Sequence, residues 1–164
     1  QYISDNVFCN DRSISSNNTV NYNNYGYGTN ATEYRISNSD NGMKLSCSQQ
    51  NDAFTVSDTS IGNGALTYPV GLLSADEASL AGGWDKENSS FYLYTGQHWW
   101  TMTPEWFNAE DQKAYVALFG SNGATYWIAF VGNSNSNGIR PVINLKANAL
   151  NAGTGTADDP YRIS

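Results

Sequence analysis

Few side chains in this 164-residue chain can carry chemistry, and several of them sit together. The only histidine, His98, precedes Trp99 and Trp100, and with Trp106 three of the five tryptophans fall within eight residues. Nucleophilic catalysis of the Ser-His-Asp kind needs an imidazole. His98 is the one available, and beside two tryptophans on a strand it reads as a packed or surface residue rather than a base. Glu105, Glu110 and Asp111 flank the cluster and are the carboxylates from which a glycosidase pair would be drawn, although sequence fixes no distance between them. Asp76 and Glu77 are adjacent acids, but they fall in the first turn of a short helix, where the macrodipole favours negative charge. Asp85, Glu87, Asn88 and the pair Asp158-Asp159 offer oxygen ligands for calcium without the spacing of a calcium loop. Neither a zinc-protease helix, a phosphate loop nor a nucleophile elbow is present. The expectation is therefore no catalytic residue, no metal site and no cofactor.

Cys9 and Cys47 form neither a CxxC pair nor a zinc set. A disulfide is their expected use in preference to free thiols, and it implies an extracytoplasmic setting. Charged residues make up only 14% of the chain, and its net charge is -7, with an isoelectric point near 4.4 and a mean hydropathy of -0.50. A field of that sign repels phosphate backbones, and no Lys/Arg cluster acts against it, so nucleic-acid binding is excluded. No apolar run reaches membrane-spanning length, and no signal-peptide pattern opens the chain. Because the sequence begins at Gln1 rather than Met, we expect the exported part, residues 1–164, of a longer precursor.

The elements that must position these residues are mostly strands. Fifteen glycines and eleven tyrosines in a polar but weakly charged chain suit short strands joined by turns, and one domain is the expectation at this length. The tract SSNNTVNYNNYGYGTN reads as a surface loop. Glu33–Ile36, Met43–Cys47, Asp52–Val56 and Ala65–Leu73 read as strand candidates, with an Asn-Gly turn at Asn41-Gly42. Ser74 stands three residues before Glu77, the spacing of a capping box, and Gly82-Gly83 supplies a stop, so a helix is expected over about 75 to 81.

From His98 onward the pattern has period two. His98–Thr103, Lys113–Gly120, Thr125–Gly132 and Gly138–Lys146 read as an antiparallel meander, with Asn122-Gly123 centred in a two-residue hairpin. Val116, Leu118, Ile128 and Val142 are candidates for its inward face, while Pro104 and Pro141 belong at strand ends or edges. Alternation divides the tryptophan cluster between two faces. Trp100, Met102 and Phe107 are expected in the core. Trp99, Trp106, Tyr115 and Tyr126 are expected to form an outward aromatic platform, with Asn and Ser of nearby turns as adaptable hydrogen bonders.

The segments YPVGLLSADEASLAGG, YLYTGQHWWTMTP, GIRPVINLK and GTGTADDPYRI, in that order, resemble an uncharacterised C-type-lectin-like domain of Gram-positive bacterial surface proteins. ISDNVFCNDRS and KLSCSQQNDAFTVSD extend the similarity over nearly the whole chain. The resemblance implies an α+β, mostly β fold, with a twisted antiparallel sheet and one or two short helices. It also implies export behind an amino-terminal hydrophobic helix of prepilin type. Related lectin-like folds display ligands on their last strands and loops, which here implicates Trp99, Trp106, Tyr126, Trp127, Asn133, Asn135 and Asn137. The chain departs from sugar-binding lectins, since TPEW stands where a calcium-binding triplet belongs, and it lacks the paired reactive cysteines of sulfatase-activating relatives. Arg140, inside GIRP, is expected to pair with Asp76 or Glu77 and fix helix to sheet. The resulting expectation is a non-enzymatic binding or display module at a bacterial surface, an adhesin taking a glycan or protein ligand. A structural head of a pilus-like filament that self-associates, or a glycan-processing enzyme, are the alternatives.

Overall fold

A computed structural model describes residues 2–14, 31–37, 42–83, 86–108, 110, 112–132 and 136–163. The elements are β1 (Ile3–Ser4), β2 (Phe8–Cys9), α1 (Ala31–Ser37), a 3-10 turn (Gln50–Asp52), β3 (Ala53–Phe54), β4 (Gly71–Leu72) and α2 (Ala75–Leu80). They are followed by β5 (Trp99–Asn108), β6 (Lys113–Phe119), β7 (Thr125–Phe130), β8 (Pro141–Val142) and β9 (Asn144–Leu145). Among the described residues the protein is mostly β with two α-helices, as expected. The long tract and the Asn-Gly turn at 41–42 lie wholly or partly outside the described residues.

The helix predicted from its capping box is present. Ser74 Oγ accepts from Glu77 N at 3.2 Å and Ser74 N donates to Glu77 Oε2 at 2.8 Å, so both partners of the motif are engaged. Gly82, at φ +109°, takes the backbone beyond the last turn. Gly83 must lack a side chain, because a Cβ there would lie 2.3 Å from the Phe119 ring.

Strands β5, β6 and β7 form the predicted antiparallel meander. Its hairpin is shifted by one residue from the expected position. Gly123 N donates to Gly120 O at 3.0 Å and Gly120 N to Ala124 O at 2.8 Å, which makes a three-residue loop with Gly123 at φ +82°. The glycine thus serves the left-handed position after the turn rather than its second corner. A Cβ on it would also meet Asn88 O at 2.1 Å.

The fourth strand segment does not extend the meander. β8 pairs with β4, β9 pairs with β1, and Gly138 bridges in parallel to Trp99. Pro141 opens β8, while Pro104 lies on an edge strand between two register shifts, where its missing N–H is tolerated. Three other expectations are corrected. Glu33–Ile36 belongs to helix α1, whose buried Thr32 and Ile36 stand four apart on one face. Met43–Cys47 forms no strand. Of Ala65–Leu73 only Gly71–Leu72 is strand.

Two clusters among the described residues tie the helices to the sheet. Ala78 of α2 packs on Phe91, Trp99 and Phe119, with the Trp99 and Phe119 rings stacked at 4.8 Å. Ile36 of α1 packs with Ala75 and Ala117, and Trp127 leans against them. Both helices therefore cover one face of the meander, and Ala75 N donates to Thr103 Oγ1 at 2.8 Å to seat α2 on β5. That arrangement reverses the expected tryptophan assignment: Trp99 is 2% exposed and belongs to the core, whereas Trp100 and Met102 are half-buried and Phe107 is exposed. Period two was right, but its phase depends on where the helices sit.

Cys9 and Cys47 are joined, with Cα atoms 5.6 Å apart and a separation of 38 residues. A crosslink of that span stabilises by about 4 kcal/mol on a chain-entropy basis. Reduction by dithiothreitol is accordingly expected to lower the unfolding free energy by about that amount in urea titrations. An unchanged midpoint would show that the bridge does not constrain the unfolded chain.

Candidate functional site

The register of β5 against β6 gives the tryptophan strand its local chemistry. Pro104 faces Val116 and Phe107 faces Ala114, so Glu105 and Trp106 together oppose the single residue Tyr115. Such a bulge re-aims a side chain out of simple alternation. Trp106 stacks on Tyr115 at 4.4 Å, Tyr115 meets Phe130 at 5.9 Å, and Lys113 Nζ lies 5.4 Å from the Phe130 ring centre. A half-buried aromatic row thus crosses all three strands.

Glu105, beside that row, is only 4% exposed, and its Oε2 has no hydrogen-bond partner among the described residues. Burial first, and the Glu33 carboxylate of α1 second, push its pKa up to about 9, against a smaller opposing effect of a hydrogen bond from Trp106. At neutral pH it is an uncharged acid. A general acid must also touch its substrate, and this carboxyl is buried away from solvent.

The other predicted residues are scattered. Trp99 is in the core and Trp127 is packed against it. Tyr126 is 47% exposed but lies opposite Leu118, while Trp106 stacks on Tyr115; the odd spacing of Tyr115 and Leu118 along β6 puts the two aromatics on opposite faces. Asn137 is half-buried next to the Gly138 bridge, and Asn133 and Asn135 lie outside the described residues, as do Asp85 and Asp111. The expected platform of Trp99, Trp106, Tyr115 and Tyr126 is therefore not assembled on one face. His98 is exposed, with its carbonyl accepting from Gly138 N at 2.7 Å.

Arg140 does not reach the helix acids. Its guanidinium lies over the Trp99 ring at 4.8 Å, where a planar cation is favoured by the ring face. The partner of Asp76 is instead Arg35, at 2.7 Å, which also contacts Asp11 at 3.2 Å. Glu77 is occupied in the capping box, Glu87 accepts from Asn122 Nδ2, and Asp159 pairs with Arg162. No group of three or more acidic, Cys or His residues is placed to hold a metal among the described residues.

Two concavities among the described residues bear on ligand binding. One, of about 310 Å³, is polar, lies beside the disulfide and includes Asp11, Lys44, Asp76 and Asn144; Arg35 already engages both of its aspartates. The other is an apolar groove of about 440 Å³. Pairing of β2 with β3 sets Phe8 opposite Phe54, pairing of β4 with β8 sets Leu72 opposite Pro141, and Met102 of β5 and Ile139 complete the walls. Gly71 lets the Phe8 ring lie against the backbone, since a Cβ there would be 2.4 Å from it. Val70 and Ile139 remain 43% and 68% exposed at this groove. Its residues come from segments far apart in sequence, so no local motif announced it. The chain matches no family model, no curated protein and no solved structure.

Proposed function

We propose that this domain is an exported, non-enzymatic binding or display module of C-type-lectin-like architecture, acting at a bacterial surface, and that the apolar groove is where it takes its ligand. The observation that carries this reading is the groove itself. It combines a volume within the range of ligand sites with apolar side chains left in water around it. Paired strands on two sides hold its walls, so it is formed before any ligand arrives. The Cys9–Cys47 bridge supports an oxidising compartment. The meander with two helices on one face is compatible with the lectin-like resemblance, and no described helix is long and apolar enough to cross a membrane.

The reading is tested by thermal unfolding against a library of glycans, peptides and small molecules, with the recovered ligand analysed by mass spectrometry. A ligand at about a hundred times its dissociation constant adds about 2.7 kcal/mol. For a chain of this size that raises the midpoint by roughly 5–10 °C. The ligand should be recovered unchanged, and Ile139→Asp should abolish the shift. Recovery of a cleaved or modified ligand would replace the binding module with an enzyme.

A further inference from the structure

Resting on the groove as the ligand site, we infer that its occupant is a free, uncharged aromatic small molecule of one or two rings. Size argues against a macromolecule. A stable protein interface engages about 20–30 residues on each side, whereas ten line this groove. About 440 Å³ lies toward the lower end of the range for small-ligand pockets.

Charge narrows the class further. None of the ten lining residues is ionisable, so a charged ligand would shed water without gaining a partner. The chain's net charge of -7 adds a penalty for anions in particular. Sugars are disfavoured for a related reason: each hydroxyl buried here would need a hydrogen bond, and among the described lining residues Asn10 alone supplies a polar side chain. The walls instead suit a ring. Phe54, half-buried, offers aromatic surface backed by the buried Phe8 ring, and the half-buried Met102 thioether offers a polarizable contact that favours aromatic edges.

The test uses three probes on the full chain: N-phenyl-1-naphthylamine, which is uncharged; its sulfonated relative 8-anilinonaphthalene-1-sulfonate; and methyl glucoside as a competitor. Fluorescence titration is expected to show saturable one-to-one binding of the uncharged amine, at least about tenfold tighter than the sulfonate. Methyl glucoside should not displace it. Ile139→Asp and Val70→Asp should each weaken binding at least about tenfold, while Tyr92→Asp, at a residue 90% exposed outside the groove, should leave it unchanged. Unaltered thermal midpoints of these surface variants in the absence of probe separate lost binding from lost folding. If the sulfonate binds more tightly, or the glucoside displaces the amine, and Ile139→Asp still abolishes binding, the ligand class is wrong and the binding module stands. If no probe responds to Ile139→Asp, the groove is not a ligand site and both readings fall.

Discussion

Arg35→Met is expected to destabilise the fold by about 5 kcal/mol, read as a lower urea midpoint. Arg35 is the single cation between two buried acids. Its Nη2 lies 2.7 Å from Asp76 Oδ2 and 3.2 Å from Asp11 Oδ2, and it also donates to Thr32 Oγ1 at 3.0 Å. Those contacts tie α1 to α2 and to the segment after β2. Methionine would keep much of the side-chain volume and remove the charge, leaving two carboxyls, on residues 8% and 3% exposed, without their counter-ion. Breaking one buried pair by deleting a partner costs about 3–5 kcal/mol, mainly through the uncompensated charge that remains. Asp76 keeps a hydrogen bond from Lys44 N and Asp11 keeps those from Ser13, which limits the cost to the upper part of that range.

The pH dependence identifies the cause. Burial alone would raise the Asp11 pKa, but hydrogen bonds from Ser13 and the Arg35 charge outweigh it and leave the group below its ordinary value. A carboxyl depressed in the fold contributes stability that is present above its unfolded pKa and lost as pH falls through the folded one. Wild type should therefore lose this contribution toward strongly acid pH. In Arg35→Met the acid-side loss should shrink or reverse, because protonation then relieves an unpaired charge. A variant with wild-type stability at pH 7 would show that water, not Arg35, satisfies the two acids.

Arg35 also marks where the sequence stopped being informative. Helix α2 was legible because its signal is local: Ser74 and Glu77 satisfy each other within one turn, and Gly82 and Gly83 end it. Helix α1 was not, since Glu33–Ile36 is as compatible with a strand, and only the fit of Thr32 and Ile36 against α2 and the meander selects the helix. The disulfide was legible from two cysteines with no competing use. For the tryptophans, alternation gave the spacing of the two rows, but both rows of β5 carry apolar residues. Which row is buried depends on the side taken by α1 and α2, a long-range fact, and the bulge at Glu105-Trp106 then breaks the alternation altogether. Charge, which is visible in a sequence, points Arg140 to an acid, whereas the Trp99 face that holds it appears only once Gly138 lies beside Trp99. The groove was illegible for the same reason, its walls being assembled from five strands and three connecting segments.

Glu105→Gln is expected to stabilise the protein at neutral and alkaline pH and to flatten its pH dependence. Glu105 is raised in the fold from 4.5 to about 9, so the native state holds a proton that the unfolded chain releases. Stability from this group is complete below the unfolded pKa and falls as pH rises, until the native carboxyl itself ionises near pH 9. Each pKa unit corresponds to about 1.4 kcal/mol, so the decline from acid to alkaline pH is on the order of 6 kcal/mol, with roughly half of it incurred by pH 7. Glutamine has nearly the same shape, keeps an oxygen for the hydrogen bond from Trp106, and carries no proton to lose. Denaturant titrations from pH 5 to 9 should show wild type falling steadily while Glu105→Gln stays nearly level, a difference of about 3 kcal/mol at pH 7. Glu33→Gln should act in the same direction and less strongly, because the Glu33 charge is only the second cause of the shift and burial would remain. Parallel pH profiles for wild type and Glu105→Gln would mean that Glu105 is ionised in the native protein, with its charge met by a group on the α1 side of the sheet.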